Sequence, residues 1–102
     1  MIARIWRGAT PISKADEYFE VLQRTGVPDY QATVGNRGVY VLRRMTGTEA
    51  HFLLLTLWDS MESIQRFAGP NPESAKYYPE DESYLLELEP RVVHMEVLLH
   101  AG

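Results

Sequence analysis

His94 is the one histidine that falls inside a predicted strand, and the residues around it have the makings of acid–base chemistry. Glu96 lies two residues on, facing the same way, and Arg4 stands at matching parity on a strand that could neighbour it. An imidazole titrates near neutral pH, so His94 can serve as a general base. A half-buried histidine held by structural hydrogen bonds is the other reading of the same residue. His94 and Glu96 are also two potential metal ligands. However, His51 and His100 have no matched spacing and no H-x-H or H-E-x-x-H motif occurs, so no metal is expected. Ser60 lacks a G-x-S-x-G frame, and helix capping by Asp59-Ser60 explains it. The aromatic residues Trp6, Trp58, Phe67, Tyr77, Tyr78 and Tyr84 could wall a pocket. By spacing and context, Trp58 and Phe67 read as core first. Tyr77-Tyr78 falls in an irregular segment, where pocket rims are built, although a tyrosine pair covering a sheet end is the commoner case.

These side chains must be positioned by a chain whose centre is Phe52–Gly69, FLLLTLWDSMESIQRFAG. It opens as a strand apolar at almost every position, so burial of both faces is expected. Asp59 and Glu62 have capping-box spacing, and Met61, Ile64, Phe67 and Ala68 form one helical stripe. Before it, residues 2–8 read as a strand. A helix follows with Ile12, Ala15, Tyr18, Phe19 and Leu22 buried, closed by Gly26 and kept from returning by Pro28. Tyr30–Val34 reads as extended, Gly35–Gly38 as a turn or bulge, Val39–Met45 as a strand, and Thr46–Glu49 as a hairpin turn. After Gly69 the pattern predicts a short helical turn from Asn71 through Tyr77. A helix from Pro79 burying Leu85 and Leu88 follows, then a last strand over Arg91–Leu99. This order predicts an α+β domain over residues 1–102, a ferredoxin-like βαββαβ sheet with its helices on one face.

Sorting the strands by parity gives two faces. Ala3, Ile5, Leu53, Leu55, Leu57, Val93, Met95, Val97 and Leu99 form an almost wholly apolar face. Ile2, Arg4, Trp6, Phe52, Leu54, Thr56, Trp58, Val92, His94, Glu96 and Leu98 form a mixed face, apolar with polar groups set into it. The helices can cover only one, and a bare apolar face exceeds what monomers tolerate. A homodimer packed sheet to sheet is therefore expected, with the mixed face and any pocket on the helix side.

Composition narrows the function classes. Apolar residues make up 45% and charged residues 24%, which is globular composition. The longest apolar run, Phe52–Leu55, excludes a membrane-spanning helix or signal peptide within the chain. A net charge of −4 argues against nucleic acid. The absence of Cys removes thiol chemistry and suits a cytoplasmic location, and one complete small protein is expected.

The segments LLLTLWDSMESIQRFAG and AKYYPEDESYLLELEPRVVHMEV resemble the antibiotic biosynthesis monooxygenase family of dimeric α+β barrels, most specifically in the W-D-S turn and the F-A-G helix end. The resemblance implies the barrel and the homodimer. It also implies a cofactor-independent monooxygenase that oxygenates small aromatic or polycyclic substrates such as quinols and anthrones, without metal or flavin. In such a site His94 would be the base, and Arg4, Tyr77 or Tyr78 the donors to a developing oxyanion. Trp6, Thr56, Trp58 and Phe67 would be the walls. Haem-degrading members carry an Asn, a Trp and a His at positions matched here by Trp6, Phe67 and Tyr77, so haem is not expected. The alternative is a non-catalytic barrel binding a small apolar ligand. A pocket reaching His94 would favour catalysis; a gap filled by Trp6, Trp58 and Phe67 would favour the binding module.

Overall fold

The structure is a computed structural model and describes residues 1–102. Four antiparallel strands, β1 (Ile2–Pro11), β2 (Asn36–Thr46), β3 (Glu49–Trp58) and β4 (Val93–Glu96), lie in the order β2-β3-β1-β4. Helices α1 (Ala15–Arg24), α2 (Gly26–Ala32) and α3 (Met61–Ala68) pack on one face. This is the ferredoxin-like α+β arrangement that the element order predicts. The β2–β3 hairpin turns through Gly47-Thr48 as expected, and the Gly35–Gly38 segment holds a bulge between Asn36 and Gly38. No helix is long and apolar enough to cross a membrane.

Parity settles the two faces. Along β3, Phe52, Leu54, Thr56 and Trp58 are buried under the helices, while Leu53, Leu55 and Leu57 are only half-covered. Arg4 and Trp6 join the buried side from β1. The mixed face is thus the helix-covered one. The isolated chain leaves the other face open, with Tyr40, Leu42, Val93 and Met95 each about half exposed.

Several local expectations need correction. The chain does not stay extended after Gly26. It breaks at Thr25 and re-enters a helix, α2, with Pro28 in the first turn, where a missing N–H costs nothing. Tyr30 is therefore helical and buried, not on a strand. Helix α1 buries Ala15, Tyr18 and Leu22 as predicted, but Ile12 and Phe19 are exposed. The cap of α3 is Ser60, whose side chain accepts from Ser63 N at 3.2 Å, not Asp59 with Glu62. Asp59 is instead clamped by Arg37, Nε to Oδ1 at 2.6 Å. Gly35, at φ +99°, lies so close over this cap that a Cβ there would meet Ser63 Cβ at 2.3 Å.

The long connection from α3 to β4 departs most. No helix forms over 71–77; Ser74 pairs with Arg91 as an isolated bridge. The predicted helix from Pro79 shrinks to a 3-10 turn, Pro79–Ser83, which buries Leu85 but leaves Leu88 exposed. The last strand covers four residues rather than nine, and Leu98 and Leu99 are exposed beyond it. Tertiary anchors explain this. Asp81 accepts from Tyr18 Oη at 3.0 Å and Tyr78 N at 2.7 Å, which fixes the turn against α1 and ends its helical course. Backbone bonds from Val92 N to Glu73 O and from Leu86 N to Ala9 O tie the rest to the sheet.

Candidate functional site

Antiparallel register sets Arg4 on β1 directly opposite Thr56 on β3 and His94 on β4. The three side chains share the helix-covered face because strand residues alternate and paired residues point the same way. Arg4 is 1% exposed, yet its guanidinium is held by a single well-aligned hydrogen bond, from Nη2 to Ser74 O at 2.9 Å. Its guanidinium carbon lies 5.3 Å from the centre of the Phe67 ring, a cation–π contact. Burial lowers the Arg4 pKa, opposed chiefly by the nearby Tyr30 hydroxyl.

His94 is half-buried with Nε2 sealed from solvent and unpartnered. Its pKa is lowered, first by burial and then by the Arg4 cation, with Glu73 opposing. Both effects favour the neutral imidazole, the form that can accept a proton. Glu96, its predicted companion, is exposed.

The aromatic residues form one continuous packing. Phe67 stacks on Tyr30 with ring centres 4.3 Å apart and tilts against Trp58 at 5.8 Å. Trp58 is fully buried, and its Nε1 donates to Thr56 Oγ1 at 2.8 Å, which commits Thr56 to the core. Trp6 lies over Gly8, where a Cβ would meet its ring at 2.5 Å, and meets Tyr77 edge-on at 6.2 Å. The Tyr77 hydroxyl donates to the Glu89 carbonyl, and that of Tyr78 to Asp29. Burial pushes the Tyr77 hydroxyl up to about 12, and burial with Asp29 raises that of Tyr78, so both are protonated donors.

The fold thus gathers Arg4, Thr56, Trp58, Phe67 and His94 into one neighbourhood and sets Trp6 against Tyr77 beside it. Tyr78 is turned toward α2 instead. The gap between helices and sheet is filled by Trp6, Trp58 and Phe67, and neither surface concavity reaches His94. One, about 720 Å³, runs along the open sheet face beside Arg7, Leu42, Arg44 and His51. The other, about 270 Å³, lies between Phe19 and Val41. Three participants were not anticipated. Tyr30 was hidden by the extended reading of its segment, although Pro28 near a helix start is a signal for α2. Lys76, 4.6 Å from the Phe67 ring centre and 2.8 Å from Asp29 Oδ2, comes from the segment expected as a short helical turn, and that reading gives it no partner. Asp81 stood in an acidic run that reads as a solvated helix start, but it is 2% exposed.

No protein-family model matches the chain, and no curated protein matches it by sequence. Solved structures do match. The haem-degrader MhuD from Mycobacterium tuberculosis, with two haems bound in its active site, superposes with a TM-score of 0.67 at 20% identity over 100% of both chains. A protein assigned as an antibiotic biosynthesis monooxygenase from Bacillus cereus gives 0.65 at 10% identity, over 98% of this chain and 97% of that one. An uncharacterised NIPSNAP domain protein from Burkholderia xenovorans gives 0.60 at 16% identity, over 100% and 99%. At these identities the likeness speaks for architecture, and the chain has the fold that these antibiotic biosynthesis monooxygenase-like proteins share.

Proposed function

We propose that the chain is a homodimeric α+β barrel that oxygenates a small, electron-rich aromatic of quinol or anthrone type, without metal, flavin or haem. The observation that carries this reading is the Arg4–His94 pair: an always-charged guanidinium beside a neutral imidazole, both with unpartnered nitrogens in a water-poor site. A core built only for stability satisfies such atoms.

In the proposed reaction, His94 takes the acidic proton of the substrate and leaves a resonance-stabilised carbanion. Arg4 stabilises the negative charge on the substrate oxygen. The carbanion reduces dioxygen by one electron, the two radicals combine into a peroxide anion, the His94 imidazolium returns its proton to that anion, and the hydroperoxide loses water to leave the quinone. One dioxygen is consumed per substrate, with one oxygen atom in product and one in water. Substrate entry requires Glu73–Tyr78, which covers Arg4 through Ser74 and Phe67 through Lys76, to lift away. Dimerisation would cover the open apolar face and make the molecule a closed barrel.

A non-catalytic dimer that binds a small apolar ligand is favoured by a different observation, the interior already filled by Trp6, Trp58 and Phe67. Oxygen uptake measured across a panel of quinols and anthrones separates the two. Enzyme-dependent uptake with at least one substrate supports the oxygenase, and none with any leaves the binding module. Titration with ferric haem is expected to give no specific complex, because Trp6, Phe67 and Tyr77 replace the residues that the haem-degrading relatives use.

A further inference from the structure

Four side-chain atoms are sealed from solvent without a well-aligned hydrogen-bond partner: Nε and Nη1 of Arg4, Nε1 of Trp6 and Nε2 of His94; the only polar side chains beside the donors are neutral hydroxyls, Tyr30 by Arg4 and Tyr77 by Trp6. All four belong to one neighbourhood, since Arg4 and Trp6 share a face of β1 and His94 lies across from Arg4 on β4. Three of these atoms are obligate donors, two on the guanidinium and one on the indole. No carboxylate pairs with Arg4. Glu73 faces His94 from the exposed end of the neighbourhood and makes no ion pair with Arg4, and the two more enclosed acids are engaged elsewhere. Asp29 holds Lys76 at 2.8 Å and accepts from Tyr78, and Asp81 accepts from Tyr18 and from the Tyr78 backbone. Lys76 lies over the same Phe67 ring as Arg4 and adds a second positive charge to the neighbourhood. A buried cation without a counter-charge is costly, and a ring face offsets only part of that cost.

We propose that the ligand supplies the missing negative charge: it is an aromatic carboxylate whose acid group takes the donors of Arg4 and Trp6, and whose ring packs toward Phe67 once Glu73–Tyr78 has lifted from that ring. This rests on reading the site as one for small aromatics and narrows the ligand class. A carboxylate matches guanidinium and indole N–H donors, whereas a neutral ring of the same shape leaves them unpaired. The guanidinium binds the acid through one edge, which selects substrates by charge before His94 acts, and keeps a remaining N–H for the substrate oxygen.

The test is calorimetric titration of the full-length protein at pH 7.5 with 2-naphthoate and with its neutral isostere 2-naphthamide. The expected result is at least tenfold tighter binding of the carboxylate. Arg4→Met should erase that preference, and Trp6→Phe should reduce it several-fold while circular dichroism reports an intact fold. Equal binding of the two ligands, or binding of neither, overturns the inference whether or not the Arg4 variant folds. An unchanged preference in a folded Arg4→Met protein does so too. The two readings fail separately. Carboxylate preference without oxygen uptake on any substrate sinks the oxygenase alone, and uptake on neutral anthrones without carboxylate preference sinks the charge selection alone.

Discussion

Replacing Leu55 by Lys should dissociate the proposed dimer while leaving the protomer folded. Leu55 lies on β3, an inner strand, with Ile5 opposite it on β1 and Tyr40 opposite it on β2. It is therefore at the middle of the open apolar face, flanked along β3 by Leu53 and Leu57. In the isolated chain it is half-covered and in contact with solvent, so a lysine there can extend into water. In a sheet-to-sheet dimer both copies of Leu55 become buried. Losing about 1.5 kcal/mol for each leucine removes about 3 kcal/mol from association. That is roughly a hundredfold in the dissociation constant before the cost of desolvating two like charges is added. Sedimentation velocity over a concentration series reads this directly, with far-UV circular dichroism as the fold control. The neighbouring substitution Leu54→Lys should instead unfold the chain, because Leu54 is 3% exposed beneath the helices. A wild-type monomer at tens of micromolar, or a Leu55→Lys dimer of unchanged affinity, would refute the reasoning.

Phe67→Ala should cost about 3–5 kcal/mol in urea unfolding, because it empties a site packed by Tyr30, Trp58, Arg4 and Lys76; a loss below about 1 kcal/mol would mean the aromatic packing is not what holds α3 to the sheet. His94 makes stability depend on pH with a definite sign. Its folded pKa lies below its unfolded value of about 6.5, so the unfolded chain binds the proton more readily. Stability should therefore be full above pH 6.5 and fall as pH drops through that value toward the folded pKa, with a smaller fall in His94→Gln.

The two faces of the sheet were legible because strand alternation is a strict period, and most of the parity assignments fall on β3 and its partner β1. The same alternation put Arg4 and His94 on one face before any register was known. Where local signals compete, they mislead. Asp59 and Ser60 are both good caps, and the choice fell to Ser60 because Arg37, brought in by β2, holds Asp59. Pro28 reads as a helix stop after Gly26 but serves as a helix start, since both roles suit its fixed φ. The acidic run at Glu80–Glu82 looks like a helix terminus in water, yet the buried hydroxyl of Tyr18 draws Asp81 inward and burial raises its pKa. Tyr30, Ser74 and Lys76 complete the site from segments placed by tertiary contact, which no local periodicity encodes.

His94 as the base is the centre of the account, and oxygen uptake by wild type and His94→Ala on the anthrone that the wild type consumes fastest tests it most directly. Loss of a positioned general base predicts a fall in turnover of about 100-fold or more with the fold intact. Equal turnover by the two proteins would contradict the account and remove His94 from the mechanism.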